Sequence, residues 1–552
     1  MNFYSLRFSR AVRGLWAPTG SLLAALIVIA PVAALLWHAF AGDVAHWQHL
    51  LNNVVPVALR DTLILLAGVG VVVTVLGVGS AWLLSAYDFP GKALLGWALL
   101  LPLAVPTYIM AYAYLDLLHP IGPVQSTIRA LLGYSSPREW RLPDVRNMTG
   151  AILILGFVLY PYVYLTMRAM FLTQAANLIE AARTLGAKRQ EVFLRIVLPL
   201  ARPAWAVGLS LALLETLNDI GASSFLGVKT LTVSVYTAWT ARSDLAAAAQ
   251  IALTMLVVII GLILIERKGR ARQRFANTQK MQPMRPRTLH GPAALMALSL
   301  GLVPVLIGFV IPAAYLCVQA WKRLNHSAGV SRALLDSLYN TLLVASLATL
   351  ITVAVGLMIA WAGRTLRESA WRQPARGFAR VGSLGYALPG TVLAIGLMTP
   401  AMLIENLVGG LLGTQKLFLM GSTGLLIIAY CIRFLAIPIG AVEAGLTRVP
   451  ASIEHAARTL GERPGATLRR VHLPLLRPAL AASALLVFVD TMKELSATLL
   501  LRPLDFDTLA TRLYAEASRG TYEEGAIAAI LIVLAGLLPV MLLARTKLSY
   551  GH

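Results

Sequence analysis

Ala181-Ala182-Arg183-Thr184-Leu185-Gly186 recurs, identical at all six positions, as Ala456-Ala457-Arg458-Thr459-Leu460-Gly461, 275 residues further on. The register then continues without a gap through Ile196/Val471, Leu198/Leu473, Pro199/Pro474, Arg202/Arg477 and Pro203/Pro478. The chain has 552 residues, so the offset is half its length. A repeat of that period marks one fold that has been duplicated and fused.

Composition says what kind of fold. Apolar residues are 58% of the chain, charged residues only 13%, and mean hydropathy is +0.73. A soluble domain carries about 25% charged residues. Apolar runs near or above the ~20 residues that cross a bilayer as a helix fill most of the length. About twelve are counted, near 21–40, 62–86, 93–117, 149–171, 203–226, 247–265, 293–320, 338–362, 381–403, 418–442, 478–500 and 525–545. The chain thus reads as an all-α polytopic membrane protein with two pseudo-symmetric six-helix halves, 1–266 and 291–552, joined by a basic linker at 267–290. A β-barrel is excluded, because the runs are continuous and do not alternate over ten-residue segments.

The net charge of +22 would suit a nucleic-acid partner, but its distribution does not. With both termini in the cytoplasm, most of the 47 Lys and Arg fall in inner segments, as the positive-inside rule expects. The most basic stretch, Arg267 to Arg287, lies between the halves and reads as a linker that fixes orientation and meets anionic lipid heads. Cys317 and Cys431 both sit in apolar runs, so no disulfide framework is indicated. Arg7, Arg10 and Arg13 followed by an apolar run and Ala39-Phe40-Ala41 resemble a cleaved signal. The run is long for a signal and holds Pro31, so it is read as a retained first span.

Around the first repeat motif, Glu180-Ala181-Ala182 is followed by Gly186, Ile196 and Leu198-Pro199. Asn177, three residues before Glu180, supplies a capping-box start for a short helix. Gly186 ends that helix at little steric cost. Arg189 and Arg195 keep the next segment wet, and Pro203 suits the first turn of the following span. The expected product is a short helix, a sharp turn and a second helix, with small side chains outward. The second copy keeps Ala456, Ala457, Gly461, Val471, Leu473 and Pro474. It has His455 in the place of Glu180, with Glu454 one residue earlier.

This spacing resembles the EAA signature of the permease subunits of binding-protein-dependent ABC importers. The resemblance implies a type I importer permease fold in a bacterial inner membrane. It also implies that each short helix is a coupling helix seated on an ATP-binding subunit, two of which would be partners. A periplasmic solute-binding protein would dock on outer loops including 118–148 and 501–524. The chain has no Gly-x-x-x-x-Gly-Lys-Ser/Thr loop of its own, and Gly91-Lys92 is followed by Ala93. ATP and Mg would therefore bind partner subunits, with no cofactor and no catalytic residue on this chain.

Four acids stand inside apolar runs, where a carboxylate costs on the order of 3 kcal/mol. Glu215 and Asp219 are matched at the 275 offset by Asp490 and Glu494. A spacing of four places each pair on one helical face. Glu215 would lie about 18 Å from the Pro203 helix start, in the outer half of the membrane. Two readings stand: the four acids line a solute route, or they form structural pairs with Lys493, Arg168 and Arg433. His46, His49 and His119, in outer loops, are more ordinary surface residues than metal ligands, and no firm metal site is assigned.

The segments Glu215 to Phe225, Asp490 to Thr498 and Leu501 to Thr511 look most like the ferric-iron branch of the fused two-repeat permeases. That likeness implies inward delivery of ferric iron by alternating access. Fused permeases for thiamine, polyamine or aminoethylphosphonate remain open, as do a secondary transporter and a membrane scaffold.

Overall fold

The computed structural model describes residues 16–41, 44–173, 182, 184–271, 286–326, 330–365, 372–413 and 418–548. Among these, nine helices are long and apolar enough to cross a membrane, and three bent helix pairs raise the number to twelve. In order they are Thr19–Phe40, Val55–Ala86, Lys92–Ala104 with Thr107–Leu117, Met148–Leu172, Phe193–Leu200 with Arg202–Asn218, and Leu245–Gly269. The second set is Gly291–Asn325, Arg332–Arg364, Gly390–Leu411, Thr423–Phe434 with Ala436–Thr447, Pro464–Met492, and Tyr522–Leu542. The six-plus-six reading holds in this order.

The bent pairs turn by 91°, 65° and 43°. The sharpest follows Val105, where Pro106 cannot donate a backbone hydrogen bond and its ring disfavours helix at the residue before it. Two bends fall in the first half and one in the second, so the duplication is not preserved in detail.

A second effect of proline is preserved. Phe193–Val197 and Leu468–His472, matched at the 275 offset, are both single π-helical turns directly before Leu198-Pro199 and Leu473-Pro474. In each, the leucine N–H reaches back five residues, Leu198 to Phe193 O and Leu473 to Leu468 O. The wide turn accommodates a proline that supplies no N–H to an α-helical ladder.

The chain forms two compact units. One gathers Met1–Asp43, Ala238–Leu253 and Arg332–Thr511. In it, the Trp16–Ala41 helix lies against Gly390–Leu412, Arg372–Leu384 and Arg332–Thr365. The approach is close: a Cβ added at Gly396 would stand 2.5 Å from Pro31 O. The first span of the chain is therefore packed among spans of the second repeat.

The other unit gathers Val44–Thr237, Thr254–Ser331 and Arg512–His552. Its centre is the Val55–Ala86 helix against Met148–Thr173, with Arg202–Asn218 alongside. Small residues allow the contact, since a Cβ on Gly208 would lie 2.8 Å from Val163 Cα. The first span of the second repeat packs here, Gly291–Val305 against Lys92–Ala98 and Ile311–His326 against Tyr522–Leu548. A two-residue parallel bridge, Tyr87–Asp88 with Arg287–Thr288, ties the end of the basic linker to the loop after Val55–Ala86. The linker residues 272–285 lie outside the described residues.

Candidate functional site

The second repeated loop is described throughout. Ala451–Thr459 is a nine-residue helix that contains Glu454, His455, Ala456 and Ala457. Gly461 follows at φ +80°, in the left-handed region that a residue with a Cβ adopts only with strain. The Glu462 N–H donates to Ala457 O at 3.0 Å, the six-to-one bond that closes a helix end on a left-handed glycine.

In the first loop, Asn177, Glu180 and Ala181 lie outside the described residues, so the capping box expected there is not placed. What is described matches the second copy. Gly186 has φ +87°, and the Ala187 N–H donates to Ala182 O at 3.0 Å. The duplicated sequence therefore folds into a duplicated helix end. Leu185 and Leu460, one residue before each glycine, are 88% and 84% exposed.

In the second loop two neighbouring residues face opposite ways. His455 is exposed, whereas Glu454 turns inward. Glu454 Oε1 accepts from Arg364 Nε at 2.8 Å and pairs with His472 Nε2 at 3.1 Å. Glu454 therefore does not present its carboxylate on the exposed face of the second loop. Leu198 and Leu473 each follow a π-helical turn, with Pro199 and Pro474 next.

The membrane acids are arranged otherwise than the spacing suggests. Arg202–Asn218 stops before Asp219, whose backbone is extended at φ −72°, ψ 119°. Leu473–Met492 likewise stops before Glu494, with Lys493 at its end. The apolar runs continue past these points only because short helices, Gly221–Phe225 and Ser496–Leu501, follow at once. Glu215 and Asp219 thus do not share a helical face, nor do Asp490 and Glu494.

Asp219 and Glu494 instead cap those short helices. Asp219 accepts from Ser223 N at 2.8 Å, Ser223 Oγ at 3.1 Å, Ala222 N at 3.4 Å and Thr107 Oγ1 at 2.5 Å. Glu494 accepts from Ala497 N at 3.0 Å, Thr498 N at 3.1 Å and Thr498 Oγ1 at 2.8 Å. Each acid lies at a helix start, where free N–H groups and the dipole favour a carboxylate. The donors correspond across the repeats, Ala222 with Ala497 and Ser223 with Thr498.

Of the cations expected as partners, Arg433 stands 3.6 Å from Glu494 and Lys493 is 2.8 Å from Asp490. Arg168 is engaged elsewhere, donating to Gly96 O and Tyr164 Oη. Glu215 and Asp490 are half-buried. Among the described residues no group of three or more His, Cys, Asp or Glu could hold a metal ion. His49 faces Asn53, and His119 Nδ1 accepts from Ile121 N at 3.4 Å.

Sequence comparison places this arrangement. The model for "Binding-protein-dependent transport system inner membrane component" matches residues 73–267 and again 352–546. The Fe(3+)-transport system permease protein FbpB 2 of Haemophilus influenzae is 26% identical over 494 residues, covering 88% of this chain and 89% of that protein. The probable ABC transporter permease protein y4fN of Sinorhizobium fredii is 25% identical over 527 residues, covering 90% and 88%. The sulfate transport system permease protein CysT of Escherichia coli is 28% identical over 213 residues, covering 38% of this chain and 72% of its own. With the family domain present twice in one multi-pass helical chain, the protein belongs to the inner-membrane permease family of binding-protein-dependent ABC importers and is a transport component, not an enzyme.

Proposed function

We propose that this permease moves ferric iron inward across a bacterial inner membrane. A periplasmic binding protein would deliver the iron, and two separate ATPase subunits would drive the cycle. The observation that carries the reading of the machinery is the duplicated loop, with its left-handed glycine and exposed leucine in both repeats. Glu180, Ala181, Ala182, Gly186, Leu198 and Pro199 form one ATPase-docking loop. Glu454, His455, Ala456, Ala457, Gly461, Leu473 and Pro474 form the other. ATP and Mg stay on the ATPases. ATP-driven closure of those subunits moves the loops, and the spans rock between outward and inward access.

Support for iron comes from the extent of likeness. The Fe(3+) permease matches 88% of the chain, across both repeats. Hard ferric ion favours oxygen donors. Asp219 and Glu494 accept three or four hydrogen bonds each and hold the adjacent short helices, and Glu215 and Asp490, half-buried within their own spans, are the acids proposed for the route.

The test is uptake of radiolabelled ferric iron by cells lacking the chain, with and without its restoration. Restored iron uptake supports the reading. Unrestored iron uptake alongside restored sulfate, molybdate, aminoethylphosphonate, thiamine or polyamine uptake would keep the permease and replace its solute.

A further inference from the structure

The second loop is held from beneath, and its hold centres on Arg364. Arg332–Thr365 has 34 residues, about 51 Å at 1.5 Å per residue, against a hydrocarbon core of about 30 Å. The helix is thus longer than the core needs, and Arg364 sits in its last turn. The guanidinium uses three of its nitrogens at once. Nε donates to Glu454 Oε1 at 2.8 Å, Nη1 to Leu446 O at 3.1 Å and Nη2 to Val449 O at 2.8 Å.

Leu446 is in the last turn of the Ala436–Thr447 helix, and Val449 lies just past its end. Carbonyls at a helix end carry the negative end of the dipole and have a second lone pair to offer, so a planar cation with several donors fits them. The same carboxylate oxygen meets His472, the last residue of the π-helical turn that opens the Leu473–Met492 span. The Arg364 and Glu454 side chains are only 10% and 13% exposed. One carboxylate of that helix is thus fastened to two spans of its own unit, and through Arg364 to the end of a third.

The first repeat has no such arrangement in its sequence. Ile179 and Val197 occupy the positions of Glu454 and His472, and the last turn of Val55–Ala86 holds no basic residue.

We propose that Arg364 is the positioning residue of the second docking loop. It locks the Ala451–Thr459 helix to three spans, so that the second ATPase moves them as one body, and the first loop works without this lock. This rests on the docking reading above and adds an asymmetry to it. An exposed pair in the same loop, Arg470 with Glu462, does not contribute, since the arginine is 73% exposed.

The experiment uses the full permease co-expressed with its ATPase subunits and reconstituted in lipid nanodiscs. It reads the ATPase subunits retained per permease and the rate of ATP turnover. Arg364→Ala keeps the subunits but lowers turnover about tenfold, through the loss of charge-assisted hydrogen bonds. Arg364→Lys retains the charge without the fork and falls between Arg364→Ala and wild type. The Arg364→Ala/Glu454→Ala double variant loses no more than Arg364→Ala alone, because the two residues act as one unit. Arg470→Ala stays within about twofold of wild type, as expected for an exposed pair.

Gly461→Asp separates the two levels of the argument. If it sheds ATPase subunits while Arg364→Ala turns over as wild type, the docking reading stands and the positioning role is overturned. If both variants behave as wild type, the docking reading itself fails. Should Arg364→Ala not reach the membrane, Arg364→Lys decides, with wild-type turnover overturning the proposal and intermediate turnover supporting it.

Discussion

Replacing Asp219 separates a capping carboxylate from a solute ligand. Asp219 is buried and accepts from two backbone N–H groups and two hydroxyls. Asp219→Ala removes the carboxylate that caps the start of the Gly221–Phe225 helix from the residue before Ile220, a loss of about 1 kcal/mol by analogy with an N-cap. It also strands Thr107 Oγ1 and the Ser223 donors, each buried donor adding about 1–3 kcal/mol. Partial relaxation keeps the total below the simple sum, and about 3–5 kcal/mol is expected. Asp219→Asn retains one acceptor oxygen and should lose about 1–2 kcal/mol, because the capping bond survives in neutral form. The assay is SDS-induced unfolding of the purified permease in mixed micelles, with uptake measured in parallel. Capping predicts that stability and uptake fall together in Asp219→Ala and are both largely kept in Asp219→Asn. Wild-type stability in both variants with uptake abolished would refute the reasoning and return Asp219 to the solute route.

Further outcomes follow from the same geometry. Arg433→Ala leaves the buried Glu494 carboxylate without its cation and should destabilise the fold by about 3–5 kcal/mol in the same unfolding assay. Gly186→Asp and Gly461→Asp each place a side chain at positive φ, a strain of about 1–2 kcal/mol. No atom lies within 4 Å of an added Cβ at either position, so membrane insertion should be normal while ATPase subunits are shed and uptake falls. Glu215→Gln should lower uptake without lowering membrane level, and unchanged uptake would remove Glu215 from the route.

The helical, duplicated, membrane-spanning character was legible because apolar run length and the exact repeat report it directly. Span ends were less so. The runs 203–226 and 478–500 stayed apolar through Asn218 and Met492, where the helices stop, because hydropathy does not register a change of chain direction. A signal was present: Asp219 stands four residues before Ser223 and Glu494 four before Thr498, each just ahead of a short helix it can cap. The π-helical turns had a cue in the repeated Leu-Pro, but a proline alone does not say whether a helix kinks, breaks or widens. Packing of each repeat's first span among the other's spans leaves no mark in composition. Nor does the Arg364–Glu454–His472 cluster, whose members are far apart in sequence and meet only through tertiary packing. The shift from Glu180 to His455 marks a sequence difference between the loops, and what lies beneath the second is visible only in the structure.

The most direct test of the account is site-specific cross-linking in native membranes. Leu185→Cys and Leu460→Cys, the exposed leucines of the two loops, would each carry a short thiol-reactive cross-linker in cells that express the ATPase subunits. The account predicts that both positions capture an ATPase subunit. Capture at neither position, in membranes where the assembled complex is recovered intact, would contradict it.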